Sequence, residues 1–82
     1  MKQGTLAQIL REFDAAWVCF GRYGAIVTEY GPRVYLNLAV ETPGQMDCQL
    51  KTFGSRDGML EALYALSMPR GIVWNAVEPE QV

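Results

Sequence analysis

Histidine is absent from this 82-residue sequence, and cysteine occurs only twice, at Cys19 and Cys48. Without histidine the chain lacks the side chain that most often serves as a general base at neutral pH and as a metal ligand. Two thiols alone cannot complete a tetrahedral zinc site. We therefore expect no catalytic residue, no metal site and no cofactor, and we predict that the protein is not an enzyme.

Both cysteines lie in apolar, strand-like segments of the sequence. In such surroundings a free thiol behaves as a small hydrophobic side chain, and cytosolic thiols stay reduced. We predict that both are buried and unreactive. A disulfide between them is one alternative, and a nucleophilic thiol activated by Arg22 or Lys51 is another.

Basic clusters and long apolar runs are also missing. The seven lysines and arginines are scattered and the formal net charge is −2, whereas a nucleic-acid binder usually carries a basic stripe. No apolar stretch approaches the roughly 20 residues of a membrane-spanning helix, and no uninterrupted apolar run follows Met1. We expect a soluble cytoplasmic protein that binds other proteins rather than nucleic acid or a membrane.

The residues that are present fit a single α+β domain covering positions 1–82. Half of them are hydrophobic and one fifth are charged, which is typical of a globular chain. A capping box at Thr5 and apolar residues at helical spacing predict a helix over about residues 5–15. A second helix is predicted from Ser55 to Met68-Pro69. Its apolar side is predicted to consist of Leu60, Leu63, Tyr64 and Leu66.

Short segments rich in β-branched and aromatic residues predict four or five strands. The predicted order is α-β-β-β-β-α-β, a mostly antiparallel sheet with both helices on one face. The last strand is predicted from Ile72 to Val77. Two short hydrophobic segments, Trp17-Val18-Cys19-Phe20 and Ile72-Val73-Trp74, contain no charge or proline, and at least one should lie at a sheet edge. Because an unprotected edge pairs readily with another chain, we predict a homodimer at micromolar concentration.

Two turns determine which strand residues share a face. A two-residue loop at Gly31-Pro32 puts the strong aliphatic residues of both flanking strands, except Ile26, on one side. The predicted pairs are Ala25–Leu38, Ile26–Asn37, Val27–Leu36, Thr28–Tyr35 and Tyr30–Arg33.

At Pro43-Gly44 a two-residue loop would place Val40 opposite Asp47 and mix apolar with polar residues on each face. A one-residue shift inverts the whole strand. We therefore predict an odd loop, Pro43-Gly44-Gln45 with a bulge, which places Val40 opposite Cys48. The predicted core face is Ala25, Val27, Val34, Leu36, Leu38, Val40, Met46, Cys48 and Leu50.

The opposite face of the sheet is the candidate site for a partner. A merely solvated face would be mostly Lys, Glu and Thr, whereas tyrosine, phenylalanine and arginine are enriched in interface cores. The alternative is a face of ordinary strand formers, since tyrosine and phenylalanine favour strands in any case. The predicted partner-binding residues are Tyr30, Arg33, Tyr35, Asn37, Gln49, Lys51 and Phe53, with Ile26, Thr28 and Asp47 beside them.

The stretch from Tyr30 to Leu66 resembles a double-stranded-RNA-binding domain in outline. A Gly-Pro opens a strand pair that leads through a glycine into a helix. In that family the helix begins with clustered lysines that hold phosphates, and a histidine follows the Gly-Pro. Here the helix begins Ser55-Arg56-Asp57-Gly58, and Val34 and Tyr35 follow Arg33. A degenerate RNA- or DNA-binding domain is therefore an alternative to protein binding.

In size, acidity and lack of catalytic groups, the chain is similar to small phage-encoded inhibitors of the anti-CRISPR type. That resemblance implies a non-enzymatic module that inhibits a host protein or complex by covering its surface. A housekeeping dimeric adaptor is the other alternative that the sequence leaves open.

Overall fold

The computed structural model describes residues 2–18, 23–42, 44–65 and 72–78. Within these ranges the order of elements is β-α-β-β-β-β-α-β, so the α+β class predicted from the sequence is confirmed. The elements are β1 (Gln3–Gly4), α1 (Leu6–Leu10), β2 (Ala15–Val18), β3 (Tyr23–Tyr30), β4 (Arg33–Thr42), β5 (Gln45–Phe53), α2 (Arg56–Ala65) and β6 (Trp74–Ala76).

The first helix begins as predicted and ends earlier. The Thr5 hydroxyl accepts a hydrogen bond from the backbone N–H of Gln8 at 3.2 Å, and the Gln8 side-chain oxygen accepts one from the Thr5 N–H at 2.9 Å. This capping box satisfies two amides at the start of α1. The helix ends at Leu10 rather than near residue 15, because the chain then enters the sheet, where the Asp14 carbonyl accepts a hydrogen bond from Val27 N–H at 2.7 Å.

The second helix begins one residue after Ser55, whose hydroxyl accepts a hydrogen bond from the Gly58 N–H at 3.0 Å. Leu60 and Leu63 are buried as predicted, together with Met59, which the sequence pattern missed. The prediction for Tyr64 was wrong, since 68% of that residue is exposed. The predicted end at Met68-Pro69, and Leu66 with it, lie outside the described residues.

One antiparallel sheet contains the six strands of the described ranges, in the order β1-β6-β2-β3-β4-β5. The strand β2 lies between β6 and β3, and β6 lies between β1 and β2. The prediction that one of these two short strands forms an edge was therefore wrong, because the two-residue strand β1 covers β6. The edges are β1 and β5, and the predicted last strand, residues 72–77, is observed as the shorter strand Trp74–Ala76.

The hydrophobic core lies between the sheet and the two helices. Helix α1 packs against β1, β2 and β6, whereas α2 packs against β4 and β5. The Trp74 ring is buried and meets the Tyr23 ring with centroids 6.3 Å apart. The buried hydrophobic residues are Leu6, Ala7, Ile9, Leu10, Ala16, Ala25, Val27, Val34, Leu36, Met59, Leu60, Leu63, Trp74 and Ala76.

Arg56, the first residue of α2, connects this helix to α1 and β3 through hydrogen bonds. The guanidinium of Arg56 donates hydrogen bonds to Asp14 at 2.6 Å, to Glu29 at 2.8 Å and to the Leu10 carbonyl at 2.9 Å. The last contact satisfies a carbonyl at the end of α1 that has no partner within the helix. Burial alone would lower the pKa of Arg56, but the hydrogen bonds to Asp14 and Glu29 outweigh it and raise the pKa. Arg56 therefore stays charged while it holds α2, α1 and β3 together.

Candidate functional site: the open face of the sheet

The hairpin of β3 and β4 has the register that the sequence predicts. Val27 pairs with Leu36, Ile26 with Asn37, and the remaining predicted pairs are also observed. Gly31 has a φ of +59° in the connecting turn, a conformation that glycine adopts without strain. Ala25, Val27, Val34 and Leu36 consequently face the helices and are buried.

The hairpin of β4 and β5 differs from the prediction by one residue. Thr42 pairs with Gln45, so only two residues separate the paired strands, and Val40 lies opposite Asp47. The odd loop was therefore the wrong choice. Gly44 has a φ of +79°, which suits a tight two-residue turn.

The physical reason for this register lies in the position of β5 at the sheet edge. Phe53 pairs with Val34 and packs against the core, which anchors that end of β5 on the helix side. Towards Gln45 the residues on the same side are exposed, because the helices do not extend over them. Asp47 and Gln49 thus face water there at little cost, and the rule that one face must be apolar does not apply.

The seven predicted binding residues are consequently divided between the two faces. Four lie on the face turned away from the helices, as predicted: Tyr30, Arg33, Tyr35 and Asn37. The other three were placed on the wrong face, because β5 is inverted: Gln49, Lys51 and Phe53 lie on the helix side.

The inversion brings three apolar residues of β5 onto the same face as Tyr35. Met46, Cys48 and Leu50 were predicted to belong to the core and are instead exposed, with 63% of Met46 and 68% of Leu50 accessible to solvent. The prediction of a buried thiol was therefore wrong for Cys48, which is free. Cys19 lies outside the described residues.

We call the surface opposite the helices the open face, defined by Trp17, Ile26, Tyr35, Asn37, Ala39, Met46, Cys48 and Leu50. The register aligns Ile26, Asn37 and Leu50 in one row across three strands. A second row contains Trp17, Gly24, Ala39 and Cys48. Ile26 is 56% exposed and Trp17 37% exposed. The open face is thus a continuous, mostly apolar surface over four strands.

Charge is sparse on this side of the sheet. Among the described side chains of β2 to β5, the charged one that faces this way is Arg33, at the end of β4 beside the exposed Tyr30. The centre of the open face presents apolar groups with the amide of Asn37 among them. Such a surface can bury apolar area against a second molecule, and Arg33 beside it can orient that molecule.

Other parts of the described surface offer less chemistry. A depression of about 450 Å³ lies between the helices and is lined by Arg11, Asp57, Leu60, Glu61 and Tyr64. Neither a thiol nor a hydroxyl other than that of Tyr64 lines it. No cluster of three or more acidic or thiol side chains that could hold a metal ion occurs in the described ranges. No described helix has the length and hydrophobicity to cross a membrane.

No protein-family model, no curated protein and no solved structure matches this chain. What the open face can do is therefore inferred from its own residues and geometry.

Proposed function

We propose that the protein is a non-enzymatic binding module whose open face covers a surface of a partner protein. The observation that carries the proposal is the row of Ile26, Asn37 and Leu50, in which both large aliphatic side chains are more than half exposed. Contiguous exposed apolar surface on a small domain is typical of an interaction site.

The chemistry of the open face favours a protein over other ligands. A broad sheet face suits contact with another protein better than contact with a small molecule, which usually binds in a cleft. The net charge of −2, and Arg33 as the one cation that the described strands place on this side, do not suit a phosphate backbone. The complementary partner surface has an apolar centre and an acidic group placed to meet Arg33.

The mode of action that follows is occlusion of the partner's surface. The small phage-encoded inhibitors that the sequence resembles act by covering a surface, and the proposal extends that mode to this chain. A cytoplasmic location is part of the proposal. It is supported by the free, exposed thiol of Cys48, since a reducing compartment preserves such a thiol.

Affinity capture with three baits tests the proposal. The baits are the wild type, a double variant with Ile26→Lys and Leu50→Lys, and a control variant with Tyr64→Lys. Tyr64 is as exposed as Leu50, at 68%, but lies on α2 rather than on the open face.

A protein that the wild type and the control retain from a lysate of the native host, and the double variant does not, is then purified. We expect the double variant to bind this protein at least about 30-fold more weakly, which is the effect expected from the loss of one hot-spot residue. Equal binding by all three baits would contradict the assignment of the open face.

A further inference from the structure

The strand β5 leaves one side without a partner among the described residues. It spans nine residues, Gln45–Phe53, and its ladder with β4 occupies only one of its two sides. An edge of this length presents a row of backbone N–H and C=O groups on which another strand can pair.

The two-residue turn determines which backbone groups face outward. The residues that flank such a turn share its hydrogen bond, so the backbone of Gln45 is directed towards β4. The side to which a residue directs its backbone N–H and C=O groups alternates from one residue to the next along a strand. The outward-facing backbone groups of β5 therefore belong to Met46, Cys48, Leu50 and Thr52.

We propose that β5 pairs antiparallel with β5 of a second copy of this chain, with the two-fold axis at Gln49. This register pairs all nine residues of the strand. The four outward-facing residues of one copy then pair with the four of the other, and these four pairs form roughly eight backbone hydrogen bonds. The cross-strand pairs are Gln49 with Gln49, Cys48 with Leu50, Asp47 with Lys51, Met46 with Thr52 and Gln45 with Phe53.

The charges on β5 identify a second copy as the occupant. Asp47 and Lys51 lie on the same face, at equal distances from Gln49. An antiparallel copy in this register therefore brings each aspartate opposite a lysine, twice per dimer. If both residues had the same charge they would repel a second copy, which is how charged residues protect many edge strands from pairing. The opposite charges of Asp47 and Lys51 instead make the edge self-complementary. Within the described residues Lys51 forms no ion pair, so its ammonium group is available.

The dimer joins the two sheets into one and places the two open faces side by side, with Leu50 of each copy next to Cys48 of the other. The proposal is independent of the proposed function, because Asp47 and Lys51 lie on the helix side of the sheet and take no part in the open face. A chain that dimerises but binds no partner would support this inference and not the function.

Charge exchange tests both the dimer and its register. We expect the wild type to approach twice its 9.2 kDa monomer mass in light scattering as concentration rises. Asp47→Lys and Lys51→Asp each convert two attractive pairs into two repulsive ones, so each should raise the dimer dissociation constant about tenfold or more. Glu61→Lys, on the exposed side of α2, makes the same change in net charge as Asp47→Lys and should leave the dimer intact.

Mixing the two single variants restores both opposite-charge pairs. Native mass spectrometry should therefore detect a heterodimer in the mixture, although each variant alone is mostly monomeric. The double variant with both substitutions should dimerise like the wild type. A monomeric wild type at all concentrations, or a heterodimer that forms no better than the homodimers of the single variants, would overturn the proposal.

Disulfide trapping provides a second, independent test. In a background with Cys19→Ser and Cys48→Ser, Gln49→Cys places two thiols opposite each other at the two-fold axis. The expected Cα separation of about 4.5 Å in such a pair lies within the range of a disulfide. The matched control Gln45→Cys faces Phe53 of the other copy. We expect Gln49→Cys to cross-link much faster under mild oxidation, and equal rates would overturn the register.

Discussion

At the scale of single residues, Arg56 shows how one side chain can orient several elements. Its guanidinium contacts two carboxylates and two carbonyls, from Asp14, Glu29, Leu10 and Phe13. The two carboxylate side chains are largely exposed, at 75% and 56%. Since exposed ion pairs contribute little to stability, the hydrogen bonds to the end of α1 account for much of its effect.

Replacing this arginine should therefore destabilise the fold without affecting the open face. We expect Arg56→Met to lower the free energy of unfolding by about 1–2 kcal/mol, the effect of losing hydrogen bonds from a charged donor. Arg33→Met is the matched control, because Arg33 is exposed and should change stability by less than about 0.5 kcal/mol. Urea unfolding followed by circular dichroism measures both. Equal values for the two variants would contradict the bridging role of Arg56.

At the scale of elements, the register of β5 decides which residues form the candidate site. Leu36 and Leu50 are both strand leucines and were both predicted to be buried. The structure makes Leu36 fully buried and leaves 68% of Leu50 exposed.

Paired alanine substitutions measure this difference. We expect Leu36→Ala to cost about 2–5 kcal/mol, because it removes apolar contacts and leaves a cavity. Leu50→Ala should cost less than about 1 kcal/mol, as is usual for an exposed position. Urea unfolding of the two variants under the same conditions gives both values. A loss for Leu50→Ala as large as that for Leu36→Ala would restore the odd-loop register that the sequence predicts.

The two hairpins also show what sequence reasoning can and cannot predict here. The register of β3 with β4 was predictable because β3 and β4 both lie within the sheet, where the helix side must be apolar. For β5 the same rule failed, since an edge strand that the helices only partly cover can carry Asp47 and Gln49 on that side. That rule argued against a two-residue connection between β4 and β5, yet Thr42 pairs with Gln45.

Three of the eight residues of the open face were predictable for the same reason. Ile26, Tyr35 and Asn37 follow from the first hairpin, as do Tyr30 and Arg33 beside the open face. The residues that make the open face apolar, Met46, Cys48 and Leu50, depend on the second hairpin and were assigned to the core. Phe53, predicted to bind a partner, instead packs against the core and anchors β5.

At the scale of the whole molecule, the sheet has one side covered by helices and one side open. The covered side holds the buried residues that stabilise the fold, and the open face carries exposed and half-buried apolar side chains over four strands. The outer edge of β5 borders both sides. The proposed partner contact thus uses side chains of the open face, whereas the proposed dimer contact uses the backbone edge of β5 together with Asp47 and Lys51 on the helix side.

Site-specific photo-cross-linking in cells of the native host tests the central claim most directly. A photoreactive phenylalanine analogue replaces Leu50 in one variant and Tyr64 in another, two positions that are equally exposed at 68%. We predict that the probe at position 50 yields a discrete product with a second protein, identified by mass spectrometry, and that the probe at position 64 does not. The same products from both positions would contradict partner binding through the open face. So would a failure of the probe at position 50 to yield any product beyond the cross-link between two copies of this chain that the proposed dimer allows.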